Sequence, residues 1–505
     1  MKEKNHTRKV AKNKSFEIPL DYNLNEYIFS DKTNENIINK SKKTEKKFFK
    51  NLFIKEDLAK NVIATRKNAI KNNKKIAKNN QKRVKKCNKY ILSYEKEERD
   101  VFLTIDKFNN NGKKTIVYFI DSFYPSIDGV LMVMENYIKY MKDFYNIVVC
   151  APKHKNKGSQ IDKYFVLYVN SIYVKKQGYD LAFPQLDTDF QKYISMLKID
   201  LIHLQSPFNM GSFGLALAKK RKTPCFATFH SQFKKNFYDV VKNETIAMWL
   251  TKMILGVFKK ATVALTMNPF AKEIMREYGI KRKIEIIPNA TNLVKKEFDT
   301  EFEEKILNRH KINKNIFNII FIGRFVAVKN IYFLIDVLKD VYKTNQNFNF
   351  IFLGYGPEEQ KMKRKCKEYG LENIVKFTGR IDNDDEKSVI IKNSSLMFFP
   401  SCYETDSIVK TEVACYDVPT LCLENTALSS VIVDGRNGFV CKNDHNDCVN
   451  KLEFLIKNVD YVKKIGKNAN LEIYFTWEKP CKMLHELYEK YLKSYYFKNP
   501  QKNED

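Results

Sequence analysis

Short apolar runs alternate with amphipathic segments of helical length from about residue 113 to the end of the chain. Near-continuous apolar strands separated by helices are typical of parallel sheets covered on both faces. The pattern predicts an α/β protein with two doubly wound, Rossmann-like domains, and ligands in the cleft at the carboxyl ends of their strands. The predicted strands are 116–120, 147–150, 201–204, 225–229, 263–266 and 284–287, then, after a break near Asn292, 316–322, 350–353, 375–377, 396–399 and 420–423.

The same pattern divides the chain into four segments. Residues 1–112 form a basic, Lys- and Asn-rich extension that we expect to be partly helical or disordered, because apolar residues recur every seven positions only from 63 to 91. Within it, residues 109–112 are a predicted linker. Residues 113–293 and 294–475 are the two predicted Rossmann-like domains. Residues 476–505 form a predicted helix that we expect to return to the first domain.

The chain is strongly basic, and the charge is unevenly placed. Its 505 residues include 89 Lys and Arg against 59 Asp and Glu, a net charge of +30, yet 44% are hydrophobic, too many for a chain disordered throughout. Residues 1–100 hold 28 Lys and Arg against 13 Asp and Glu, and 58–91 contain no acidic residue. The surplus favours a polyanionic partner: nucleic acid, anionic lipid or a phosphorylated substrate. A compositional bias toward Lys, Asn and Ile explains it as well.

The sequence offers no strong metal or membrane-spanning signal. The ten cysteines include no CxxC pair, and we assign Cys441, His445 and Cys448 to a loop and helix start rather than to zinc. The acidic groups at 187–189 and 382–385 fit helix caps better than metal ligands. The most apolar stretch is interrupted by lysines, and no apolar stretch of signal-peptide length follows the basic N-terminus. We therefore expect a reducing cytoplasm, no metal, and at most a peripheral membrane location.

Two motifs suit a phosphorylated ligand. After the first predicted strand, a loop containing Gly129 enters a helix, where a glycine permits close approach and free N–H groups donate to an anion. After the strand 316–322 come Arg324 and Lys329. A diphosphate needs charge neutralisation at more than one oxygen, so two cations at the carboxyl end of a strand suit it. Ordinary turns and solvated surface cations remain the alternative.

A third motif places two carboxylates around the start of a helix. Glu404 lies on the loop that leaves the strand 396–399, Ser407 is the expected cap of the next helix, and Glu412 lies about one turn inside it. Carboxylates accept hydrogen bonds from pairs of sugar hydroxyls, whereas N–H groups donate to phosphate and the helix dipole attracts it.

Taken together, these motifs resemble a known enzyme family. The residues D-G-V at 128–130, I-P-N-A-T-N at 287–292, G-R-x4-K-N at 323–330 and E-x7-E at 404–412 resemble the retaining, nucleotide-sugar-dependent glycosyltransferases of family 4, which have the GT-B fold. The resemblance covers about residues 113–495. Segments 121–129, 203–208, 227–233 and 407–409 are most similar to bacterial diacylglycerol glucosyltransferases of the 1,2-diacylglycerol 3-glucosyltransferase type.

The resemblance implies a hexosyltransferase that moves glucose from UDP-glucose to a membrane lipid such as diacylglycerol, without a cofactor or metal. It implies that the first domain faces acceptor and membrane, that the second binds the nucleotide sugar, and that the enzyme lies peripherally on the cytoplasmic face of the cell membrane. No Asp or Glu is an evident covalent nucleophile, so it also implies front-face substitution, with the acceptor hydroxyl deprotonated by the leaving phosphate.

The resemblance assigns site residues as well. The catalytic residues would be His230, Arg324, Lys329 and Glu404. The donor-binding residues would be Gly129, Arg324, Lys329, Arg380, Ile381, Ser407, Ile408, Val409 and Glu412. The basic and apolar residues expected at the membrane or acceptor face are Lys219, Lys220, Arg221, Lys222, Phe233, Lys234, Lys235, Phe237 and Trp249.

Some positions depart from the family pattern, and other functions stay open. Asp406 and Ser407 stand where an aromatic residue and a glycine are usual, Lys410 interrupts an apolar helix start, and Gln205 replaces a frequent histidine. The same chemistry could serve a soluble, polyprenyl-linked or protein acceptor in cell-surface polysaccharide synthesis. A nucleic-acid-binding protein that uses the basic arm is the alternative of another class. That arm has Tyr90 as its only aromatic residue between 58 and 91, so we expect no nucleic-acid partner.

Overall fold

A computed structural model describes residues 96–154, 164–174 and 179–498. The predicted helical arm at 63–91 lies outside the described residues. The described chain forms two compact units: a smaller one from residues up to Thr115 together with Gln185–Ile199, and a larger one from the rest. The domain boundaries expected from the sequence stay predictions.

The described residues contain two sheets and the helices that cover them. The first sheet consists of β1 Thr115–Phe119, β2 Asn146–Lys153, β3 Phe165–Val174, β4 Tyr179–Ala182, β5 Leu201–Leu204, β6 Cys225–Thr228, β7 Val263–Thr266 and β8 Ile284–Ile286. The second consists of β9 Phe317–Ile322, β10 Phe348–Leu353, β11 Val375–Gly379, β12 Leu396–Phe399, β13 Thr420–Leu423 and β14 Phe439–Cys441.

The helices fall between the strands or follow them. The first seven are α1 Lys96–Asn110, α2 Gly129–Met141, α3 Thr188–Met196, α4 Asn209–Arg221, α5 Phe233–Val241, α6 Glu244–Lys260 and α7 Pro269–Glu277. The next five are α8 Thr300–His310, α9 Ile331–Thr344, α10 Glu359–Glu368, α11 Asp384–Lys392 and α12 Val409–Ala414. The last three are α13 His445–Lys457, α14 Val459–Ile473 and α15 Glu478–Lys498, and a short 3₁₀ turn spans Ala327–Lys329.

In the first sheet the strand order is β4-β3-β2-β1-β5-β6-β7-β8. The order in the second is β11-β10-β9-β12-β13-β14, with every pair parallel. Strands such as β9 and β10 are buried at every position, because helices cover both faces of their sheet. Helix α9 supplies one such cover with apolar residues three or four positions apart. The predicted pair of Rossmann-like domains is confirmed.

Three strands escaped the sequence prediction. β3 is a half-exposed strand that pairs with β2 in parallel and with the short β4 antiparallel, at one edge of the first sheet. β14 is a three-residue strand at the edge of the second sheet. Edge strands of this kind lack the continuous apolar run that marked the central ones.

The smaller unit corrects the predicted linker at 109–112. Helix α1 packs against α3, with the rings of Phe102 and Tyr193 edge to face at 5.4 Å. Asn109, near the end of α1, donates to the carbonyl of Met196 over 2.9 Å and accepts from the amide of Lys198 over 2.7 Å. The linker prediction was wrong at this residue, because Asn109 is helical and fixed by two hydrogen bonds.

Helix α15 carries an apolar stripe that is buried in the core of the first domain. It packs on α2. At its centre the Tyr488 hydroxyl lies 2.5 Å from His203 Nδ1 and 3.1 Å from the Tyr118 hydroxyl. The stripe is Cys481, Leu484, Tyr488 and Leu492, preceded by Trp477. Among the described helices, none is long and apolar enough to cross a membrane.

Candidate active site

The candidate site residues follow the carboxyl ends of parallel strands. In the first domain, Gly129 opens the helix after β1 and His230 follows β6. In the second, Arg324 and Lys329 follow β9, and Glu404 follows β12. Since these strand ends share one edge of each sheet, this is the location that the doubly wound fold predicts for a ligand.

Lys329 and Glu404 form an ion pair. Lys329 Nζ donates to Glu404 Oε1, and the same oxygen accepts from the Ser401 hydroxyl over 3.0 Å. Both side chains are largely buried. The ammonium also lies 5.3 Å from the centre of the Phe399 ring. Two residues predicted to act on different parts of a donor are therefore held together, and Ser401, which the sequence did not mark, fixes the carboxylate.

The loop that carries Arg324 is pinned by close backbone packing. A side chain at Gly354, whose φ is +147°, would meet the carbonyl oxygen of Gly323 at 1.9 Å. Next to it, the amide of Phe325 donates to the carbonyl of Tyr355 over 2.8 Å. The Arg324 side chain is exposed, and among the described residues it has no ion-pair partner. Its charge is thus available at the end of a rigid loop.

Two further residues predicted to bind the donor, Arg380 and Glu412, follow other strands of the same sheet. Arg380 stacks over the ring of Tyr355 at 5.5 Å and pairs with Asp382 over 2.6 Å. Glu412, in α12, is largely buried and accepts from Lys387 Nζ over 3.0 Å. A carboxylate has about four lone-pair sites, so this contact leaves capacity for ribose hydroxyls.

Helix α12 begins at a different cap from the expected one. Ile408 occupies the cap position, and no side chain caps the helix. The predicted capping role of Ser407 is therefore wrong: Ser407 is buried, and its carbonyl accepts from Lys410 Nζ over 3.0 Å. Ile408 and Val409 are half-buried at the helix start.

His230 is held as a neutral ring. Its Nε2 lies 2.9 Å from Gln205 Oε1. Because an amide oxygen only accepts, Nε2 carries the proton and Nδ1 is left as an acceptor. Burial lowers the pKa of His230 to about 3. Burial lowers the pKa of His203, in β5, to about 3 as well. At neutral pH, His230 can therefore position oxygens but supplies no charge.

Neither the backbone conformation nor the packing of neighbouring residues requires a glycine at position 129. Its φ is not positive, and a Cβ placed there would meet no atom within 4 Å. The helix that it begins is capped by Asp128, whose side chain accepts from the Leu131 amide over 2.9 Å. A side chain at 129 would fill only the open space over the end of β1, where close approach of a ligand was predicted.

The groups considered for metal binding have structural roles. Cys441 and Cys448 lie with their sulfurs 3.2 Å apart in the interior, while His445 contacts Asp340. Asp187 caps α3, and Asn383 caps α11. Among the described residues, no group of three His, Cys, Asp or Glu side chains could hold a metal ion. A metal-free reaction stays a prediction.

Two families of known proteins match the two halves of this site. Residues 127–295 match the family described as Glycosyltransferase Family 4, and residues 302–472 match the family described as Glycosyl transferases group 1. The first match covers all strands but β1 of the sheet that carries His230, and the second covers the sheet that carries Lys329 and Glu404. The chain is a GT-B glycosyltransferase. The family that the sequence motifs resembled is thus confirmed.

Several curated relatives cover most of this glycosyltransferase. An uncharacterized glycosyltransferase of Methanocaldococcus jannaschii is 26% identical over 73% of this chain and 96% of its own. The alpha-monoglucosyldiacylglycerol synthase of Acholeplasma laidlawii is 22% identical over 70% of this chain and 91% of its own. The alpha-monoglucosyldiacylglycerol synthase of Streptococcus pneumoniae is 23% identical over 73% of this chain and 84% of its own.

Solved structures share the fold. Sucrose-phosphate synthase from Thermosynechococcus elongatus superimposes with a TM-score of 0.62 at 16% identity, over 76% of this chain and all of its own. The Anabaena protein HepE, solved with UDP and glucose, gives a TM-score of 0.59 at 16% identity, over 75% of this chain and all of its own. At these identities the likeness shows the GT-B fold alone.

In this glycosyltransferase, two departures from the family pattern form one interaction. Lys410 Nζ pairs with Asp406 Oδ1 over 2.5 Å and also donates to the carbonyl of Ser407. The side chains of Lys410 and Asp406 are only 8% and 3% exposed. Each charge compensates the other in a place where either alone would be costly. The pair ties the loop after Glu404 to helix α12.

The predicted membrane face is partly corrected. Lys219, Lys220, Lys222 and Trp249 are exposed, whereas Arg221, Lys234 and Phe237 are half-buried and Lys234 pairs with Glu244. The prediction was wrong for Phe233, which is buried between Phe229 and Phe258. The side chain of Lys235 lies outside the described part of the structure. The sequence reasoning missed Ile246 and Met253, which flank Trp249 on one side of α6 and are exposed.

Replacing Lys410 should show how much an unpaired Asp406 carboxylate destabilises the folded protein. We expect Lys410→Met to lower the free energy of unfolding by about 3–5 kcal/mol, because it leaves Asp406 buried and unpaired. The double variant Asp406→Leu/Lys410→Met should recover most of that loss. Urea unfolding of the three proteins measures both effects. Equal losses in the single and double variants would contradict a compensating pair.

The neutral state of His230 predicts a pH effect on stability. Its folded pKa lies below the unfolded value of about 6.5, so between about pH 3 and 6.5 the unfolded chain binds the extra proton. The contribution of the neutral His230 to the free energy of unfolding is therefore complete above pH 6.5 and is lost as the pH falls toward 3. His230→Gln should reduce the slope of unfolding free energy between pH 4.5 and 5.5 by about 1.4 kcal/mol per unit. Urea unfolding at those two pH values measures it; an unchanged slope would rule out a buried neutral ring.

Proposed function

We propose that this glycosyltransferase moves glucose from UDP-glucose to a membrane lipid such as diacylglycerol, at the cytoplasmic face of the membrane. The observation that carries the lipid acceptor is an exposed apolar stripe on α6 of the first domain, together with exposed lysines at the end of the neighbouring helix α4. Two of the relatives are named alpha-monoglucosyldiacylglycerol synthases and are matched over most of their length. The HepE structure, with its bound UDP and glucose, supports the donor class.

The charges around β9 and β12 suit departure of a nucleoside diphosphate. Breaking the bond between the sugar C1 and the diphosphate oxygen develops negative charge on the leaving group, and cations already in place stabilise it. Arg324 is exposed without an ion-pair partner among the described residues, and Lys329 is oriented by Glu404. The ammonium of Lys329 has three N–H donors, so its contact with Glu404 leaves others for phosphate oxygens. Glu404 would accept hydrogen bonds from hydroxyls of the sugar.

We further propose front-face substitution with retention. The new bond from C1 to the acceptor oxygen forms on the face from which the diphosphate leaves, and the acceptor's hydroxyl proton passes to a leaving phosphate oxygen. His230 would position oxygens through its unprotonated Nδ1. Gln205 Nε2, buried and without a partner among the described residues, is available to a sugar oxygen. A buried amide N–H without a partner is costly, so a bound hydroxyl there would be favourable.

The lipid-facing surface lies on α6 and its neighbours. Ile246, Trp249 and Met253 stand three and four positions apart, so they share one face of the helix, and they are 48%, 59% and 59% exposed. α6 packs on α4, whose end carries the exposed Lys219 and Lys220. Apolar side chains insert at the boundary of headgroups and acyl chains, and each nearby lysine contributes about 1 kcal/mol toward an anionic surface.

Charge and position at the reacting centre can be tested by Lys329→Ala and Glu404→Gln. Each should lower turnover by about 10² or more, because the first removes a cation from the leaving group and the second weakens both sugar contact and orientation of Lys329. Initial rates with labelled UDP-glucose measure the effect. Thermal unfolding serves as the control for folding. Near-normal turnover in either variant would refute its assigned role.

The acceptor can be tested with the purified full chain, labelled UDP-glucose, and vesicles of phosphatidylcholine, phosphatidylglycerol and diacylglycerol. We expect labelled glucosyldiacylglycerol, identified by mass spectrometry. Transfer to a soluble sugar but to no lipid would contradict the lipid acceptor and favour the polysaccharide alternative.

The docking surface has its own test in Trp249→Glu/Met253→Glu. Carboxylates in place of two inserting side chains should lower the fraction of protein that sediments with these vesicles by about tenfold. Leu471→Glu is the matched control, because Leu471 is 81% exposed on α14 of the second domain. Equal binding by the variant and the control would place the docking surface elsewhere.

A further inference from the structure

Two side chains of the first domain donate hydrogen bonds to consecutive carbonyls of the second domain. Gln232 Nε2 donates to the carbonyl of Glu404 over 2.8 Å, and Asn268 Nδ2 donates to the carbonyl of Thr405 over 2.6 Å. Glu404 is the carboxylate that orients Lys329. The backbone of a central site residue is thus held by a domain to which it does not belong.

Asn268 is built for this contact. It is 2% exposed, and its Oδ1 accepts from the Ala271 amide over 2.9 Å as the cap of α7. One end of the amide group is therefore fixed by the helix, which aims the other end at Thr405. Gln232 stands at the cap position of α5 but makes no capping bond. Its amide reaches Glu404 instead.

The two bonds fix the backbone on both sides of one peptide unit. Glu404 and Thr405 contribute adjacent carbonyls, so two donors constrain both position and rotation of the chain there. A hydrogen bond of this kind shifts the equilibrium between the held and the released backbone by about 2-fold to 10-fold. Replacing the donor by an acceptor shifts it further toward the released backbone, because the new acceptor repels the carbonyl. Small displacements of a catalytic group cost a large part of its effect.

We propose that Gln232 and Asn268 are positioning residues for glycosyl transfer. They hold the backbone at 404–405 so that the Glu404 carboxylate and the Lys329 ammonium meet the donor in one arrangement. They act through Glu404 and bind neither substrate. The inference rests on the proposed role of Glu404 at the sugar donor. The loop that carries Arg324 and the side chain of Glu412 are held by contacts within the second domain. Nucleotide binding should therefore depend on the contacts of Gln232 and Asn268 far less than turnover does.

The variants Asn268→Asp and Gln232→Glu remove each donor and keep the shape of the side chain. In Asn268→Asp, one carboxylate oxygen would still cap α7, so the helix keeps its start, while the second oxygen repels the Thr405 carbonyl. Asn243→Asp is the matched control for the cap, because Asn243 Oδ1 accepts from Ile246 in the same way at the start of α6. Gln191→Glu is the control for the longer side chain, because Gln191 Nε2 donates to the carbonyl of Gln185.

Kinetics with labelled UDP-glucose and detergent-dispersed diacylglycerol separate positioning from binding. We expect kcat to fall about tenfold or more in each variant, while the donor KM and the UDP dissociation constant from calorimetry change less than about threefold. The controls should stay within about twofold of the parent chain in all three quantities. A kcat equal to that of the controls, or a fall that matches a smaller folded fraction, would overturn the proposal.

A second readout does not depend on the acceptor. Amide hydrogen exchange in peptides that cover 400–412, measured with UDP present, should be faster in Asn268→Asp and Gln232→Glu than in the two controls. Unchanged exchange would overturn the proposal even if glucose is transferred to diacylglycerol. If the parent chain glucosylates no lipid but exchange rises as expected, the proposed acceptor fails and the positioning role stands.

Discussion

Residues that follow two different sheets form the site, and helix α15 fixes the chain that leaves the second sheet in the core of the first domain. Its apolar stripe is buried there, and the Tyr488 hydroxyl lies between His203 and Tyr118 in the middle of it. A buried hydroxyl or imidazole without a partner costs about 1–3 kcal/mol, so this network favours one seating of the helix over any shifted one. His203 belongs to β5, and Gln205, the partner of His230, directly follows that strand. The same contact therefore links helix α15 to the strand that leads into the site.

Within the second domain, the basic side chains divide into two groups. Lys410 is paired with Asp406 in the interior, and its charge stabilises the loop rather than a ligand. Arg324 has no ion-pair partner among the described residues, and Lys329 shares a single carboxylate oxygen. Lys410 is held in the interior by its pairing with Asp406, whereas Arg324 is exposed and the Lys329 ammonium keeps N–H donors beyond its contact with Glu404. Only the second group is therefore suited to charge that develops during a reaction. Net charge alone could not have separated these groups.

The central strands and the main site motifs could be predicted because buried parallel strands appear in the sequence as continuous apolar runs, and loops at their carboxyl ends carry function. β3 could not, since it lies next to the edge strand β4 and is half-exposed, with only two buried positions. Asp406 and Lys410 appeared as two separate departures, although their spacing of four was the available signal. No sequence signal marked Gln232 and Asn268, because their partners are backbone carbonyls 172 and 137 residues away. A carbonyl is present at every residue, so no sequence pattern identifies which one is used.

The neutral histidine bears on where the acceptor's proton goes. With a pKa of about 3, His230 is a weak base, whereas a phosphate monoester oxygen takes up its second proton near a pKa of about 6. Of these two groups, the leaving phosphate is thus the stronger base. In the proposed reaction, a neutral His230 also places no cation beside the acceptor oxygen, whose nucleophilicity a positive neighbour would lower. Both effects support proton transfer to the leaving group, with His230 confined to holding the reacting oxygens in place.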